Sequence, residues 1–283
     1  MITIREIKQM QATSEKYRSE GKKIGFVPTM GFLHEGHLSL IRQMRPLCDI
    51  LVVSIFVNPT QFAPSEDLEQ YPRDFERDEK LCRNENVDII FYPDSGQMYP
   101  APYATYVHVE NLTDTLCGAS RPGHFRGVTT IVTKLFHIVK PHLAIFGEKD
   151  FQQAVVLKKM VVDLNFDVKI MTGPIIREED GLAMSSRNKY LTANQRRQAT
   201  IIYQSLQKAQ EMVKAGERNS EVIRKYIIDN INRIPETKID YVAVVNETTL
   251  KPVVQIDHHS VIALAVYIGS TRLIDNVRLN TIR

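Results

Sequence analysis

Residues 23–44 read KIGFVPTMGFLHEGHLSLIRQM. The first five, Lys23 to Val27, form a short run rich in branched and aromatic residues, which predicts a buried strand. Pro28, Gly31 and Gly36 then punctuate a turn, and from Leu38 to Met44 apolar residues recur at helical spacing. A strand, a Pro/Gly turn and a helix make one βα unit. A chain that repeats this unit builds a mostly parallel sheet.

The unit does repeat. Strands are expected at Ile50 to Val57, Val87 to Pro93, Leu143 to Gly147 and Asp167 to Gly173, with Thr105 to Glu110 a further candidate. Between them Asp74 to Asn84, Val128 to Val139 and Gln152 to Asp163 carry apolar residues at spacings of three and four, the pattern of crossover helices. After about Ile176 the rhythm changes: two long amphipathic helices, Ala193 to Ala215 and Ser220 to Ile234, precede the strand-like runs IDYVAVVN, VVQI and SVIALAVYIG. The expectation is therefore an α/β protein: a Rossmann-like, mostly parallel sheet with helices on both faces over residues 1–175, and a smaller α+β domain with antiparallel strands over residues 176–283.

The bulk composition narrows the function classes. With 283 residues, 43% of them apolar, the chain can fill a sizeable core. The formal charge of +3 arises from 36 basic and 33 acidic side chains spread along the whole length, without the block of like charge that marks a nucleic-acid arm. The longest apolar runs are far too short to span a bilayer, so neither a nucleic-acid nor a membrane partner is expected, and a cytoplasmic location is. Cys48, Cys82 and Cys117 have no metal-type spacing and are read as reduced, buried thiols.

The polar, turn-rich stretches follow the strands. PTMGFLHEGH comes after the first, NPTQF after the second, GEKDFQQ after LAIF, and REEDGLAMSSRN after the last strand of the parallel set. In an open parallel sheet such loops converge on one crevice, where ligands bind. A helix opening near His34 would aim backbone N–H groups and the positive end of its dipole at that crevice, which suits phosphate. His34 and His37, three apart, would share a face and each offer a hydrogen bond. Zinc is disfavoured, because HEGH brings the second histidine one residue too early for HExxH. No G-x-S-x-G elbow and no G-x-x-x-x-G-K-[ST] loop is present, so another phosphate-binding plan is needed. Lys149, and Ser185, Ser186 and Arg187, are the donors that would clamp phosphate oxygens, although each taken singly reads equally as a solvated loop. Gln61 and Gln153 are neutral amides suited to the oxygens of a small polar acid.

Taken in order and at these separations, PTMGFLHEGH, NPTQF, YPR, RPGHFRGV, FGEKDFQQ and GLAMSSRN closely resemble the pantoate–β-alanine ligase family, AMP-forming ligases of the HIGH-type nucleotidyltransferase superfamily. The resemblance runs from about Val27 to Leu191. It implies a two-step reaction: pantoate attacks the α-phosphorus of ATP to give pantoyl adenylate, and the amine of β-alanine then displaces AMP to give pantothenate. It further implies that Met30, Gly31, Phe32, Leu33, His34, Glu35, Gly36 and His37 form an ATP loop, with His37 as the donor to the reacting phosphate and His34 beside it. By the same resemblance Gln61 and Gln153 hold pantoate, Gln61 also lying near β-alanine. Gly147, Glu148, Lys149 and Asp150 meet the nucleotide with Lys149 on the phosphates, Ile176 holds adenine or ribose through its backbone, and Met184, Ser185, Ser186 and Arg187 close over the triphosphate from the second domain. A homodimer and Mg2+ are also implied. Acidic residues in the helix after YPR would serve the metal, and where an adjacent acidic pair is common this chain has Arg77 and Asp78, so Asp78 is the candidate ligand, with a solvated helix residue as the alternative. Whether Arg121, His124 and Arg126 of RPGHFRG line the crevice is left open.

Overall fold

The stretch Lys23–Met44 folds as its pattern requires, into a strand over Ile24–Thr29 and a helix over Glu35–Met44. In the computed structural model, which describes residues 1–64 and 66–279, the chain forms two compact units. The first comprises Met1–Glu110, Arg121–Glu148 and Val156–Pro174; the second comprises Asn111–Ser120, Lys149–Val155 and the chain from Ile175 onward.

In chain order the first part contains β1 (Ile2–Ile4), α1 (Ile7–Ser19), β2 (Ile24–Thr29), α2 (Glu35–Met44), β3 (Ile50–Ile55), α3 (Phe75–Asn84) and β4 (Ile89–Phe91). The short α4 (Ser95–Met98) and α5 (Cys117–Ser120) follow, then α6 (His124–Val139), β5 (Leu143–Gly147), α7 (Phe151–Asp163) and β6 (Lys169–Gly173), of which α5 and the start of α7 belong to the second unit. The six strands form one parallel sheet in the order β1-β4-β3-β2-β5-β6. From β2 the chain builds outward through β3 and then returns to the other side of β2 for β5. That reversal opens a crevice at the carboxyl ends of β2 and β5, where PTMGFLHEGH begins.

Alternation along β2 sets the two helical layers. Val27 joins Leu38, Ile41 and Met44 of α2 and Cys82 of α3 in one buried cluster. Its neighbour Phe26 points the other way and meets Phe136 of α6 edge-on, ring centroids 6.5 Å apart. Each fully buried aliphatic side chain of such a layer contributes about 1.5–3 kcal/mol.

Thr105 to Glu110 is not a strand. The backbone of Val107 finds its partners on a helix instead: its N–H donates to the Thr130 hydroxyl at 3.0 Å and its carbonyl accepts from Thr129 Oγ1 at 2.7 Å. Two threonines of α6 thus satisfy a segment that no strand among the described residues pairs.

In the second unit α8 (Ala193–Gln198), α9 (Thr200–Lys214) and α10 (Ser220–Ile231) precede an antiparallel sheet of β7 (Thr237–Asn246), β8 (Ser260–Ile268) and β9 (Thr271–Arg278), in that order. Ile202, Leu206, Ile223 and Ile227 pack with Val244, Leu264 and Val266 in its core. The helix expected from Ala193 is interrupted at Ala199. VVQI is no strand; its Gln255 makes an isolated bridge to Asn219, and the preceding Pro252 one to Val245, while the third strand is TRLIDNVR. Its alternation is hidden because Asp275 and Asn276 take buried positions.

All three cysteines are free thiols, Cys82 and Cys117 buried and Cys48 partly so. Burial pushes the Cys82 thiol up to about 12, which keeps it protonated and inert. Among the described residues no helix is long and apolar enough to cross a membrane.

Candidate active site

The loop after β2 is held by one side chain from β2 and one from α3. Thr29, the last residue of β2, donates its hydroxyl to Ser54 O on β3 at 2.7 Å and accepts from Gly31 N at 3.1 Å. Gly31 (φ 80°) and Phe32 (φ 49°) both lie in the left-handed region, a conformation that costs a non-glycine residue about 1–3 kcal/mol. A Cβ on Gly31 would sit 2.9 Å from Ile55 Cγ2 and 3.0 Å from an Asp78 oxygen, so glycine is required for space as well as for φ. The turn is held by Asp78 of α3, whose carboxylate accepts from Phe32 N at 2.6 Å and Leu33 N at 2.7 Å.

In this structure Asp78, the candidate magnesium ligand, buttresses the turn. The residue is 1% exposed and both oxygens are engaged by backbone N–H groups, so it does not fit a hydrated cation that must meet phosphate. Burial raises its carboxyl above the usual range, against the pull of those two N–H groups and of Arg77 at 3.6 Å. Among the described residues no group of three His, Cys, Asp or Glu is placed to hold a metal.

His34 and His37 cap α2 reciprocally. His34 Nδ1 accepts from Gly36 N at 3.2 Å, and His37 Nδ1 accepts from His34 N at 3.3 Å. The rings lie 4.1 Å apart, centroid to centroid. An Nδ1 that accepts carries no proton, so in each neutral ring the hydrogen resides on Nε2. Both imidazoles therefore present an Nε2–H donor at the amino end of a helix, where the dipole favours an anion.

NPTQF forms a short 3₁₀ turn over Pro59–Gln61. Asn58 Nδ2 donates to Gly127 O and to Gln61 Oε1, each at 3.1 Å, while its Oδ1 accepts from Tyr99 at 2.7 Å and Thr60 Oγ1 at 3.0 Å. Because a backbone carbonyl only accepts, the Gly127 bond fixes which way the Asn58 amide faces. Burial pushes Tyr99 up to about 12, so its phenol is a donor at neutral pH. The oxygen of Gln61 is thus engaged, and its Nε2 donates to Met30 Sδ at 3.2 Å. In the first unit, then, Met30 to His37 and Gln61 are brought together. Asn58 and Tyr99, which orient Gln61, carry no distinguishing signal in the sequence, although Asn58 lies inside NPTQF. Gly147 ends β5 opposite Gly173, and Glu148 accepts from Thr172 at 3.1 Å.

The second unit gathers the remaining residues. Ile176 and Met184 face each other across a hairpin, Met184 N donating to Ile176 O at 3.0 Å. Arg177 beside them makes a bidentate pair with buried Asp275, 2.6 and 2.9 Å. Burial raises the Asp275 carboxyl even against that pairing. Asn276 Nδ2 donates to Lys149 O at 3.1 Å, so the backbone of Lys149 is fixed by the strand that anchors Arg177. The Lys149 side chain is 22% exposed and 3.6 Å from Asp150. Ser185 accepts from Arg187 N at 3.3 Å, and Asn188 bonds Glu178 and Ala183, which stiffens the loop that carries Ser186 and Arg187. Of the paired glutamines, Gln152 is committed to Cys117 N, Leu112 O and Thr115 O, which leaves Gln153 as the amide available to a ligand.

In the first unit the His34 and His37 donors at the helix terminus suit an anion, and the Gln61 amide suits the oxygens of a small polar acid. A family model described as pantoate-beta-alanine ligase matches residues 2–278. The pantothenate synthetase of Thermotoga petrophila is 56% identical over 279 residues, covering 99% of this chain and 100% of that one. That of Moorella thermoacetica is 58% identical over 262 residues, 93% of each chain. The crystal structure of pantothenate synthetase from Thermus thermophilus superposes with a TM-score of 0.94 at 41% identity, over 99% of this chain and 100% of that chain. A pantoate-beta-alanine ligase from Francisella tularensis, solved with β-γ ATP and β-alanine, superposes with a TM-score of 0.82 at 35% identity, over 99% and 98%. Matched along almost its whole length by sequence and by fold, the chain belongs to the pantoate–β-alanine ligase family.

Proposed function

We infer that this chain condenses (R)-pantoate with β-alanine in a reaction driven by ATP cleavage, yielding pantothenate, AMP and pyrophosphate. The observation that carries the reading is the pinned Met30–His37 loop, whose two capping imidazoles present Nε2–H donors at the mouth of the parallel sheet. In the first step a pantoate carboxylate oxygen bonds to the α-phosphorus, the bond to the β-phosphate oxygen breaks, and pyrophosphate leaves. In the second, the β-alanine nitrogen bonds to the acyl carbon, the bond to AMP breaks, and the amine loses its proton.

The residues divide this work. His37 Nε2–H donates to an α-phosphoryl oxygen as charge builds there, with His34 beside it. Lys149 lies on the phosphates, Ile176 holds adenine or ribose through backbone atoms, and Met184 to Arg187 meet the triphosphate. Gln61 Nε2 and Gln153 hold pantoate; a neutral amide orients a carboxylate without lowering its nucleophilicity as a cation would. Mg2+ belongs to this reading as a companion of the ATP phosphates, carrying most of its own waters.

Chromatography of adenine nucleotides tests the reaction. AMP and pyrophosphate are expected to accumulate only when pantoate and β-alanine are both supplied with ATP. Formation of ADP, or stable transfer of the nucleotide to a phosphate ester, would remove the assignment. The family resemblance also supports a cytoplasmic homodimer; a monomer in sedimentation velocity at assay concentration would rule the dimer out.

A further inference from the structure

The RPGHFRG segment is taken up by no step above, and it is built around Gln61. Arg121 grips Glu66 with two bonds, Nε to Oε1 at 2.6 Å and Nη2 to Oε2 at 2.7 Å. Its remaining nitrogen, Nη1, lies 3.1 Å from His124 Nε2, and Nη2 also reaches Gln61 O at 3.4 Å. His124 Nδ1 is 2.9 Å from the same Gln61 carbonyl.

The chemistry of the partners decides the state of the ring. A backbone carbonyl can only accept, so Nδ1 carries the hydrogen. A guanidinium can only donate, so Nε2 carries the lone pair. Arg121, itself oriented by Glu66, selects the tautomer in which His124 donates to Gln61 O. The backbone is also pressed from this side: a Cβ on Gly127 would stand 2.3 Å from Thr60 O and 2.6 Å from Gln61 N. The first turn of α6 therefore sets both ends of Gln61, its side chain through the bonds from Asn58 to Gly127 O and Gln61 Oε1, and its main chain through His124.

We propose that Glu66, Arg121 and His124 form a relay of positioning residues that fixes the Gln61 backbone so that its Nε2 meets pantoate at the correct distance and angle. None of the three touches the substrate in this assignment; they act on pantoate through Gln61. The proposal rests on the reading of Gln61 as a pantoate-binding residue. A carbonyl released from His124 lets the 3₁₀ turn rotate, and a shift near 1 Å in a substrate-holding group is costly.

Steady-state kinetics on the full chain, varying pantoate and ATP separately, tests this. His124→Gln places its amide at the Nε2 position and loses the donor to Gln61 O. It is expected to raise the KM for pantoate about tenfold or more while leaving the KM for ATP and the thermal midpoint near their starting values. His124→Asn keeps an N–H at the Nδ1 position and is expected to recover most of that loss. Combined with Gln61→Ala, His124→Gln should add nothing to the pantoate KM, because the group it positions is gone. If His124→Gln fails to fold, Arg121→Lys, which keeps the charge beside Glu66 but cannot serve both partners, should raise the pantoate KM in the same direction. An unchanged pantoate KM in the folded variants, with Gln61→Ala raising it, would overturn the relay alone. Full additivity of the two substitutions would do the same. An unchanged pantoate KM in Gln61→Ala itself would overturn the underlying role of Gln61, and the relay with it.

Discussion

Replacement of Lys149 by alanine is expected to slow pantoyl adenylate formation by about two to three orders of magnitude, the scale seen when one fixed donor is removed from a developing charge. The substitution asks a carboxylate to approach a polyanion with one cation fewer. Its ammonium is held where it is by the main chain: Lys149 O is bound by Asn276, so the side chain starts from a fixed root. Its ionic neighbour Asp150 is 3.6 Å away and half exposed, so little folding energy is lost with it. The thermal midpoint should therefore stay within a few degrees. Lys149→Arg retains the charge but not the compact ammonium, and should fall between the two. Pyrophosphate release measured in a single turnover with ATP and pantoate reads the step directly, and a rate within about threefold of the original enzyme would remove Lys149 from the phosphates.

Asp275→Ala should have the largest effect on stability, about 3 kcal/mol, because it leaves the charge of Arg177 without its partner. Asp275 is 1% exposed, whereas the Arg177 side chain is 18% exposed, which places the cost at the low end of the range for broken buried pairs. Asn276 N would also lose its acceptor, 2.8 Å away. Among the described residues Arg177 would keep only Gly181 O, at 3.1 Å, and the Tyr203 ring, 4.0 Å beneath it. A fall in thermal midpoint of several degrees is the expected reading. A loss below about 1 kcal/mol would mean that Arg177 swings to water and that the pair contributes geometry rather than stability. Since Asn276 adjoins the substituted position and holds Lys149, the variant should also lose activity in the fraction that stays folded.

The residues legible in the sequence are those whose signal is local. The β2 to α2 unit announces itself through an apolar run, a Pro/Gly turn and a helical repeat within one short stretch. The parallel sheet follows from repetition of that unit. What is not legible depends on partners distant in sequence. α1 buries only Met10 and Ser14 among polar neighbours, and β1 is three residues long, so neither shows a period. β9 escapes a pattern reading because Asp275 and Asn276 are buried on opposite faces of the strand, where they meet Arg177 and Lys149, roughly a hundred residues earlier. VVQI resembles a strand in composition, although its backbone bonds are scattered over Val244, Arg218 and Ser220 and form no continuous ladder. Asp78 is the same lesson at the site. The family resemblance suggests a metal there; its partners in the fold, Phe32 N and Leu33 N, give it the turn.

The two left-handed residues of that turn, Gly31 and Phe32, have a further consequence. Thr29 and Asp78 hold them in place through bonds made entirely within the folded chain. The conformational entropy of ordering this loop is therefore lost when the protein folds and does not have to be lost again when a nucleotide arrives. In the proposed nucleotide-binding role the loop acts as a finished mould, so the free energy of a phosphate contact is not spent on ordering it.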